Sequence, residues 1–176
     1  LQSLRKEIII SKLISVLPEN SKEEYVPPLN SDDLVISKKQ VEKKLKGIDF
    51  NQIDALIIRT LPNTCKKKER DYMQTPSPFF TIECMRYIVS LGINHLLVDL
   101  PSVDRMFDDG ILSAHNVFWE TKEKALNNLS RFKTITEMVY IPNEIIDGEY
   151  LLNLQIPPFV ADAAPSRPIL YKINEL

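Results

Sequence analysis

The chain has 176 residues, 26% of them charged and 44% hydrophobic, and a formal net charge of −2, which is an ordinary globular composition. This length favours a single domain, residues 1–176, that is large enough to bury a core. The near-neutral charge argues against nucleic acid and anionic membranes as partners, and no apolar run reaches the length of a membrane span. Cys65 and Cys84 lack metal-motif spacing and are interpreted as free thiols of a reducing, cytoplasmic compartment.

The first third of the chain predicts a strand, a loop and a short helix. Residues 7–17 are rich in β-branched side chains and stop at a proline, which is typical of a strand. Residues 18–34 are polar and contain prolines, so we expect a loop there. Residues 37–47 begin with a capping-box pattern, carry an apolar pair at helical spacing and end at glycine, which predicts a helix with a solvated, lysine-rich face.

The middle of the chain predicts a β-α-β unit. Residues 54–60 are apolar enough for a strand inside a sheet that is covered on both faces. The loop over 61–80 is unusually long, which favours a role as a lid or a partner contact. Thr81 can cap a helix over 81–91 that has one apolar face, and residues 95–100 form the next strand. The pattern indicates two parallel strands joined by a right-handed crossover.

The strand at 95–100 runs into a loop that is rich in carboxylates, which is where α/β proteins commonly bind ligands. Asp99, Ser102 and Asp104 lie in this loop, and His115 follows in an otherwise apolar setting. An ordinary surface loop, in which Asp99 and Ser102 cap backbone groups, is an equally good interpretation of these residues taken alone.

The remaining third predicts an insertion and three strands. Residues 120–132 are charged and helix-prone, and strands are expected over 135–141, 149–156 and 169–173. An Asp-Gly pair at 147–148 is a hairpin signal between the first two of these strands. The sequence therefore predicts a mixed α/β domain with some antiparallel pairing towards the C-terminus.

The chemistry that these residues allow is narrow. Four glycines exclude a dinucleotide-binding fingerprint, a serine-hydrolase elbow is absent, and the spacing of the two cysteines and two histidines does not favour Cys-His catalysis. A metal site built from His115 and carboxylates remains, suited to zinc or manganese. His95 opens a buried strand and is interpreted as structural. Taken alone, His115 is better explained as an ordinary core or surface histidine than as a metal ligand.

Six segments, in chain order, resemble the cyclase family of metal-dependent hydrolases, which includes kynurenine formamidase. They resemble the family's ALLIRT strand, the helix after it, the D-x-P-S-V-D turn, the A/S-H ligand position, the glutamate of an I-x-E-N segment and the closing G-A/S-P-x-R strand. In this sequence the six segments are residues 54–60, 81–92, 99–104, 114–115, 134–137 and 163–170. The resemblance implies the swivelling β/β/α fold of the cyclase family, incomplete at the N-terminus.

The resemblance also implies a metal site. In the family, two metal ions activate water for attack on an amide or formamide carbonyl. The positions that match one ligand pair are His115 and Glu137, with Glu120 as the runner-up because the insertion at 120–132 weakens the alignment. The other ligands come from a His-x-Gly-Thr-His-x-Asp/Glu motif nearer the N-terminus, and a further histidine after it is the general acid or base. This sequence contains neither, so no catalytic acid or base is assigned to it.

The expected function follows from the resemblance. We expect a metal-dependent amide hydrolase of the arylformamidase type, as in tryptophan catabolism, with a small-molecule amide as substrate and a homo-oligomeric assembly. The chain as given should be inactive and should bind zinc or manganese weakly, because it holds half of the metal site. The alternative is a non-catalytic scaffold or oligomerisation relative that has lost the metal motif. Four aromatic residues are open to either a substrate pocket or core packing, namely Phe79, Phe80, Phe118 and Trp119.

Overall fold

The computed structural model describes residues 4, 6, 8–121, 125, 127–158, 161 and 163–173. Within these residues the elements follow in the order β1 (Ile8–Val16), β2 (Val35–Ile36), α1 (Lys38–Leu45), β3 (Ala55–Thr60), β4 (Phe79–Phe80), α2 (Ile82–Ser90), β5 (His95–Val98), α3 (Ser113–Phe118), β6 (Thr134–Thr136), β7 (Gly148–Asn153) and β8 (Ile169–Lys172). A short 3-10 helix, Cys65–Glu69, lies in the long loop after β3. No helix of the described residues is long and apolar enough to cross a membrane.

The main sheet has six strands in the order β6-β5-β3-β1-β7-β8. Strands β6, β5, β3 and β1 pair in parallel, whereas β7 pairs antiparallel with both β1 and β8. The predicted β-α-β unit is confirmed, because β3 and β5 are parallel neighbours in a register that places Ala55 opposite His95. The antiparallel pairing expected towards the C-terminus is confirmed as well.

The alternation of side chains along β3 divides the core into two layers. Leu56 and Ile58 pack on one face against the three helices, in a cluster that includes Met85 of α2 and Phe118 of α3. Ala55 and Ile57 point to the opposite face, where the covering side chains come from the segment before β7 and from the sheet itself. The helices therefore occupy one face, and the second face is covered by irregular chain. Phe79, Phe80 and Phe118 are buried core residues.

Helix α2 begins and ends as its sequence predicts. The side chain of Thr81 accepts a hydrogen bond from the N–H of Cys84, and Gly92 adopts the left-handed conformation just past the C-terminus, with φ of 77°.

Both cysteines are free thiols, Cys65 exposed and Cys84 buried. Burial raises the pKa of the Cys84 thiol well above its ordinary value, which disfavours a thiolate nucleophile there.

Two sequence predictions about the C-terminal part are wrong. The strand expected over 135–141 is limited to Thr134–Thr136, because the chain turns away at Met138, whose φ is 60°. Strand β6 pairs with β5 at one edge of the sheet, and β7 lies beyond β1, so the Asp-Gly pair does not join a hairpin. Asp147 instead accepts hydrogen bonds from Ser15 and Arg59. The insertion over residues 120–132 is expected to be helix-prone. Residues 122–124 and 126 of it lie outside the described residues, and residues 128–132 form turns.

Candidate functional site

The parallel strands bring the predicted site segments to one edge of the sheet. Strands β5 and β6 end at Val98 and Thr136, so Asp99 and Glu137 follow directly at the carboxyl edge. The loop after β5 then leads into α3, which carries His115. The carboxyl edge of a parallel sheet is where α/β proteins place their ligand sites.

Asp99 is directed towards the end of β3 and the long loop after it. Its carboxylate accepts hydrogen bonds from the N–H of Thr60 at 2.9 and 3.0 Å, from the Thr60 hydroxyl at 2.8 Å, and from Lys67 Nζ at 2.8 Å. Its side chain is only 1% exposed. Asp99 therefore ties the loop that follows β3 to the end of β5, and these partners lie in β3 and that loop, not in the segment that carries His115.

Asp104 organises the start of α3. The residue before this helix is Leu112, which adopts the left-handed region with φ of 53° and has no side chain that can cap a helix. Asp104 supplies the missing acceptor, since its oxygens accept from the N–H of Ala114 at 2.6 Å and of His115 at 3.2 Å. The carboxyl of Asp104 is fully buried. Burial alone would raise its pKa, but the hydrogen bonds from the His115 ring and from Ala114 outweigh burial, so the pKa lies below its ordinary value.

The imidazole of His115 lies between two carboxylates. Its Nδ1 is 2.6 Å from Asp104 Oδ2, and its Nε2 is 3.5 Å from Glu137 Oε1. The ring also stacks at a tilt on Trp119, with 5.3 Å between the ring centroids. The pair expected from the sequence, His115 and Glu137, is therefore brought together.

Glu137 is held in place by the loop after β5. Its Oε1 accepts a hydrogen bond from the N–H of Val103 at 2.9 Å. Burial raises the pKa of Glu137 above its ordinary value, although His115 and Val103 act in the opposite direction. The next residue, Met138, adopts a left-handed conformation that L-residues rarely take. Backbone strain of this kind concentrates at functional sites.

The contacts of His115 define what this site can accept. A carboxylate only accepts hydrogen bonds, so the short contact to Asp104 places a proton on His115 Nδ1. The lone pair of a neutral ring then lies on Nε2 and faces a carboxylate oxygen of Glu137. Two acceptors directed at each other are favourable only when a cation or a second proton lies between them. Imidazole nitrogen and carboxylate oxygen are both ligands of zinc and manganese, so the donor set fits a divalent metal.

Glu120, the alternative partner, is directed elsewhere. Its carboxylate accepts hydrogen bonds from Lys133 Nζ at 2.9 Å and from the Ser130 hydroxyl at 3.1 Å. The hydrogen bond from Lys133 lowers the pKa of Glu120 below its ordinary value. Within the part of the chain that the structure describes, there is no group of three or more His, Cys, Asp or Glu residues that could hold a metal ion. Among the described residues, His115 and Glu137 are therefore the candidate ligand pair.

The second histidine, His95, lies at the opposite end of the same sheet. Its side chain is buried at the start of β5, and its Nδ1 forms a hydrogen bond of 2.9 Å with the hydroxyl of Thr134. Burial lowers the pKa of His95 below its ordinary value, so the neutral ring is favoured. These contacts agree with the structural role expected for this residue.

His115 and Glu137 lie in the wall of a cavity of about 1260 Å³. Trp119 lies beside His115 and Glu137 in its wall, and the apolar floor comes from the second face of the sheet, through Ile57 and Leu97. Basic side chains of Arg131, Lys133 and Arg167 also line the cavity. A cavity of this size accommodates a small organic molecule next to the ligand pair.

Sequence reasoning missed Tyr25 and Lys67. The hydroxyl of Tyr25 donates to Asp104 Oδ1 at 2.9 Å and accepts from the N–H of Arg105 at 2.9 Å. Burial raises the pKa of Tyr25, so it remains a hydroxyl donor. Lys67 is the partner of Asp99 described above. Both residues come from loops whose sequence shows only polar and proline-rich character, and an aromatic residue within such a loop was the available signal for Tyr25.

Together, the fold and the site define a class: an α/β protein with a histidine–carboxylate pair, suited to a divalent metal, at the carboxyl edge of its parallel strands. The family model described as "Putative cyclase" matches residues 14–105, which is more than half of the chain. The chain belongs to this cyclase family, and the resemblance found in its sequence is confirmed. The matched range includes Asp99 and Asp104 but ends before His115 and Glu137.

Two curated relatives agree with this family. The kynurenine formamidase of Bacillus cytotoxicus is 26% identical over 147 residues, and the match covers 83% of this chain and 63% of the relative. The kynurenine formamidase of Bacillus mycoides is 24% identical over 150 residues, with 85% and 64% covered. The chain therefore spans less than two thirds of the length of the curated relatives it matches.

Two solved structures share the fold. One, described as a "potential metal-dependent hydrolase with cyclase activity", is 18% identical with a TM-score of 0.60, and the match covers 93% of this chain and 65% of that one. The other, a "predicted metal-dependent hydrolase" from Bacillus stearothermophilus, has the same identity and TM-score and is covered to 63%. At this identity the likeness concerns the fold alone, and it confirms the expected α/β fold of the cyclase family.

Proposed function

We propose that this chain supplies one ligand pair of the divalent-metal site in an amide hydrolase of the kynurenine formamidase type. One observation carries the proposal: His115 Nε2 and Glu137 Oε1 face each other at 3.5 Å, while Nδ1 of the same ring is anchored on Asp104. The family membership and the names of the two curated relatives support the same class of reaction.

The residues of this chain have distinct tasks in that proposal. His115 and Glu137 would hold the metal, Asp104 orients the histidine, and the backbone of Val103 orients the glutamate. When bound, a divalent metal polarises a carbonyl oxygen and lowers the pKa of a bound water to about 7. Zinc and manganese both suit an imidazole and a carboxylate, so either metal is compatible with this pair.

The cavity supports a small-molecule amide or formamide as substrate. Its apolar floor and the indole of Trp119 offer a surface for the non-polar body of such a molecule, beside the ligand pair. The carbonyl to be attacked would lie next to His115 and Glu137, at the carboxyl edge of the sheet.

The chain on its own is expected to bind metal weakly and to be inactive. Catalytic zinc sites have three protein ligands as a rule, and the described residues contain no group of three candidate ligands. The same observation favours the second candidate, a non-catalytic scaffold of the cyclase family. A His-x-Gly-Thr-His-x-Asp/Glu motif in the natural reading frame of the protein would favour the enzyme over the scaffold.

A cytoplasmic location and a homo-oligomeric assembly are further parts of the proposal. Two free thiols are compatible with a reducing compartment. Strand β8 lies at the end of the sheet order, and its side chains Ile169 and Tyr171 are 36% and 50% exposed. Exposed apolar side chains on an outer strand favour self-association. A monodisperse monomer in sedimentation velocity that binds no hydrophobic dye would contradict the oligomer.

The deciding experiment measures metal content and hydrolysis of an aryl formamide by the complete product of the natural gene. The protein is stripped with a chelator and reloaded with zinc or manganese, and the Glu137→Gln variant is compared with the matched variant Glu120→Gln. We expect Glu137→Gln to lose both metal and hydrolysis, and Glu120→Gln to retain both. Full metal content and full activity in Glu137→Gln would overturn the site. A metal-loaded wild type that hydrolyses no formamide or cyclic amide would favour the scaffold.

A further inference from the structure

We propose that Asp104 is a positioning residue, which fixes His115 with its proton on Nδ1 and presents Nε2 to the cavity beside Glu137. The arrangement of the three side chains carries this inference. It deepens the proposed function and rests on that function only for its consequence in metal binding. The placement of the proton itself is a property of the metal-free chain and is tested there.

The first step concerns the backbone of His115. Helix α3 begins after Leu112, an apolar residue in the left-handed region that offers no capping oxygen. The carboxylate of Asp104 reaches across from the preceding loop and accepts from the N–H groups of Ala114 and His115, at 2.6 and 3.2 Å. A capping carboxylate satisfies helix donors that would otherwise lack partners. Asp104 therefore fixes the position of the His115 backbone.

The second step concerns the ring. The oxygen of Asp104 that accepts from the His115 backbone, Oδ2, also lies 2.6 Å from His115 Nδ1. Because one oxygen contacts both the backbone N–H and the ring, it restricts the rotation of the side chain as well as the placement of its proton. A neutral imidazole carries one proton, so a proton held on Nδ1 leaves a lone pair on Nε2.

The third step is that Asp104 cannot turn away. Its other oxygen, Oδ1, accepts from the hydroxyl of Tyr25 at 2.9 Å, and its own N–H donates to the Ser102 hydroxyl at 3.1 Å. Tyr25 is buried in a cluster with Phe79, and its hydroxyl accepts from the N–H of Arg105. A carboxylate behind a metal-binding histidine fixes the tautomer and the ring orientation, and its loss costs about 10- to 100-fold in metal affinity.

The test reads the tautomer directly in the metal-free 176-residue chain. Histidine side-chain nitrogens are observed by long-range proton–nitrogen NMR in mildly alkaline solution, where an imidazole carries one proton. The sequence has only two histidines, so the His115→Gln variant assigns the signals. A protonated nitrogen and a lone-pair nitrogen have well-separated shifts. The variants to compare are Asp104→Asn and, as a matched buried carboxylate with other partners, Asp99→Asn.

The wild-type chain should show the proton of His115 on Nδ1, and Asp99→Asn should leave it there. In the asparagine variant the single amide oxygen stays with its two donors, the hydroxyl of Tyr25 and the N–H of Ala114, so the amide N–H₂ faces the ring. The ring then becomes the acceptor at Nδ1, and the proton moves to Nε2. If wild-type His115 carries its proton on Nε2, or if Asp104→Asn keeps it on Nδ1, the proposal is overturned. If Asp104→Asn does not fold, as judged by circular dichroism, the wild-type tautomer alone decides.

Zinc titration of the same proteins separates this proposal from the proposed function. Asp104→Asn should weaken zinc binding by about 10- to 100-fold relative to wild type, and Asp99→Asn should change it by a small factor. A further outcome has the proton on Nδ1 in wild type and on Nε2 in Asp104→Asn, while wild type binds no zinc at His115. That combination supports the positioning role and contradicts the metal site. Equal zinc affinity in wild type and Asp104→Asn, where wild type does bind zinc, overturns the role of Asp104 in metal binding.

Discussion

The two histidines of the chain lie at opposite ends of the same parallel strands and have opposite surroundings. His95 opens β5 at the amino edge, where its side chain is buried and hydrogen-bonded to the neutral hydroxyl of Thr134. His115 lies at the carboxyl edge, with a carboxylate of Asp104 on one side and of Glu137 on the other. The same side chain is therefore a core group in one place and a potential ligand in the other.

The difference shows that the role of a histidine is set by what its two ring nitrogens face. At His95 burial lowers the pKa and favours the neutral ring, and the negative charge of Asp54 acts more weakly in the opposite direction. At His115 one nitrogen is anchored on Asp104, while the other faces Glu137 and the cavity. Parallel topology produces this asymmetry, since loops that follow the strands collect at one edge only.

The largest expected effect comes from exchanging each histidine for alanine in the complete product of the natural gene. His115→Ala should reduce hydrolysis of an aryl formamide to background and weaken metal binding by more than about 100-fold, because loss of a ligand exceeds loss of the group behind it. His95→Ala should keep the metal and lose only stability. Metal content by atomic absorption and hydrolysis rate are measured for both variants. Equal losses in two folded variants would remove the distinction between the two edges.

The next effect concerns the charged pair beside the site. Lys67→Met leaves the carboxylate of Asp99 buried at 1% exposure without its cation, and breaking a buried pair in this way costs about 3 kcal/mol or more in free energy of unfolding. Urea denaturation measures this loss. Exposed Lys66 of the same short helix provides the control, since Lys66→Met should change stability by less than about 0.5 kcal/mol. Equal effects of the two substitutions would contradict a structural role for the Lys67–Asp99 pair.

The smallest expected effect is a pH dependence from His95. Its pKa in the folded state lies below the ordinary value of 6.5, so the unfolded chain binds more protons between these two values. The contribution of neutral His95 to stability is therefore complete above pH 6.5, falls as the pH drops through 6.5, and levels off below the folded pKa. The free energy of unfolding is measured from pH 8 to pH 5 for wild type and for His95→Gln. The difference between the two slopes against pH gives the contribution of His95. A variant that keeps the full wild-type slope would show that His95 is not the source.

Much of the parallel half of the fold was predictable from sequence. Apolar runs gave β1, β3 and β5, and the cap at Thr81 with Gly92 gave both ends of α2. These features depend on local sequence, in which hydrophobic period and capping chemistry agree. The C-terminal part was harder, because β6 and β7 are separated in the sheet by three other strands. Strand order depends on tertiary packing, and the left-handed turn at Met138 has no sequence signal such as glycine.

The site was predictable only as a set of candidate residues. The resemblance singled out His115 and Glu137, and the structure places them side by side. The role of Asp104 was not readable, because it depends on a loop folding back onto the first turn of α3 and on a hydroxyl from Tyr25, 79 residues away in the sequence. Such contacts between distant loops leave no periodic pattern in the chain.

The central claim is that His115 and Glu137 form a metal-binding pair, and manganese titration of the 176-residue chain followed by NMR tests it most directly. Paramagnetic Mn²⁺ broadens signals of nearby nuclei even when it binds weakly, and magnesium serves as the diamagnetic control. The account predicts that signals of His115 and Glu137 lose intensity first and that those of His95 persist. Broadening centred on other carboxylates, with His115 and Glu137 unaffected, would contradict it.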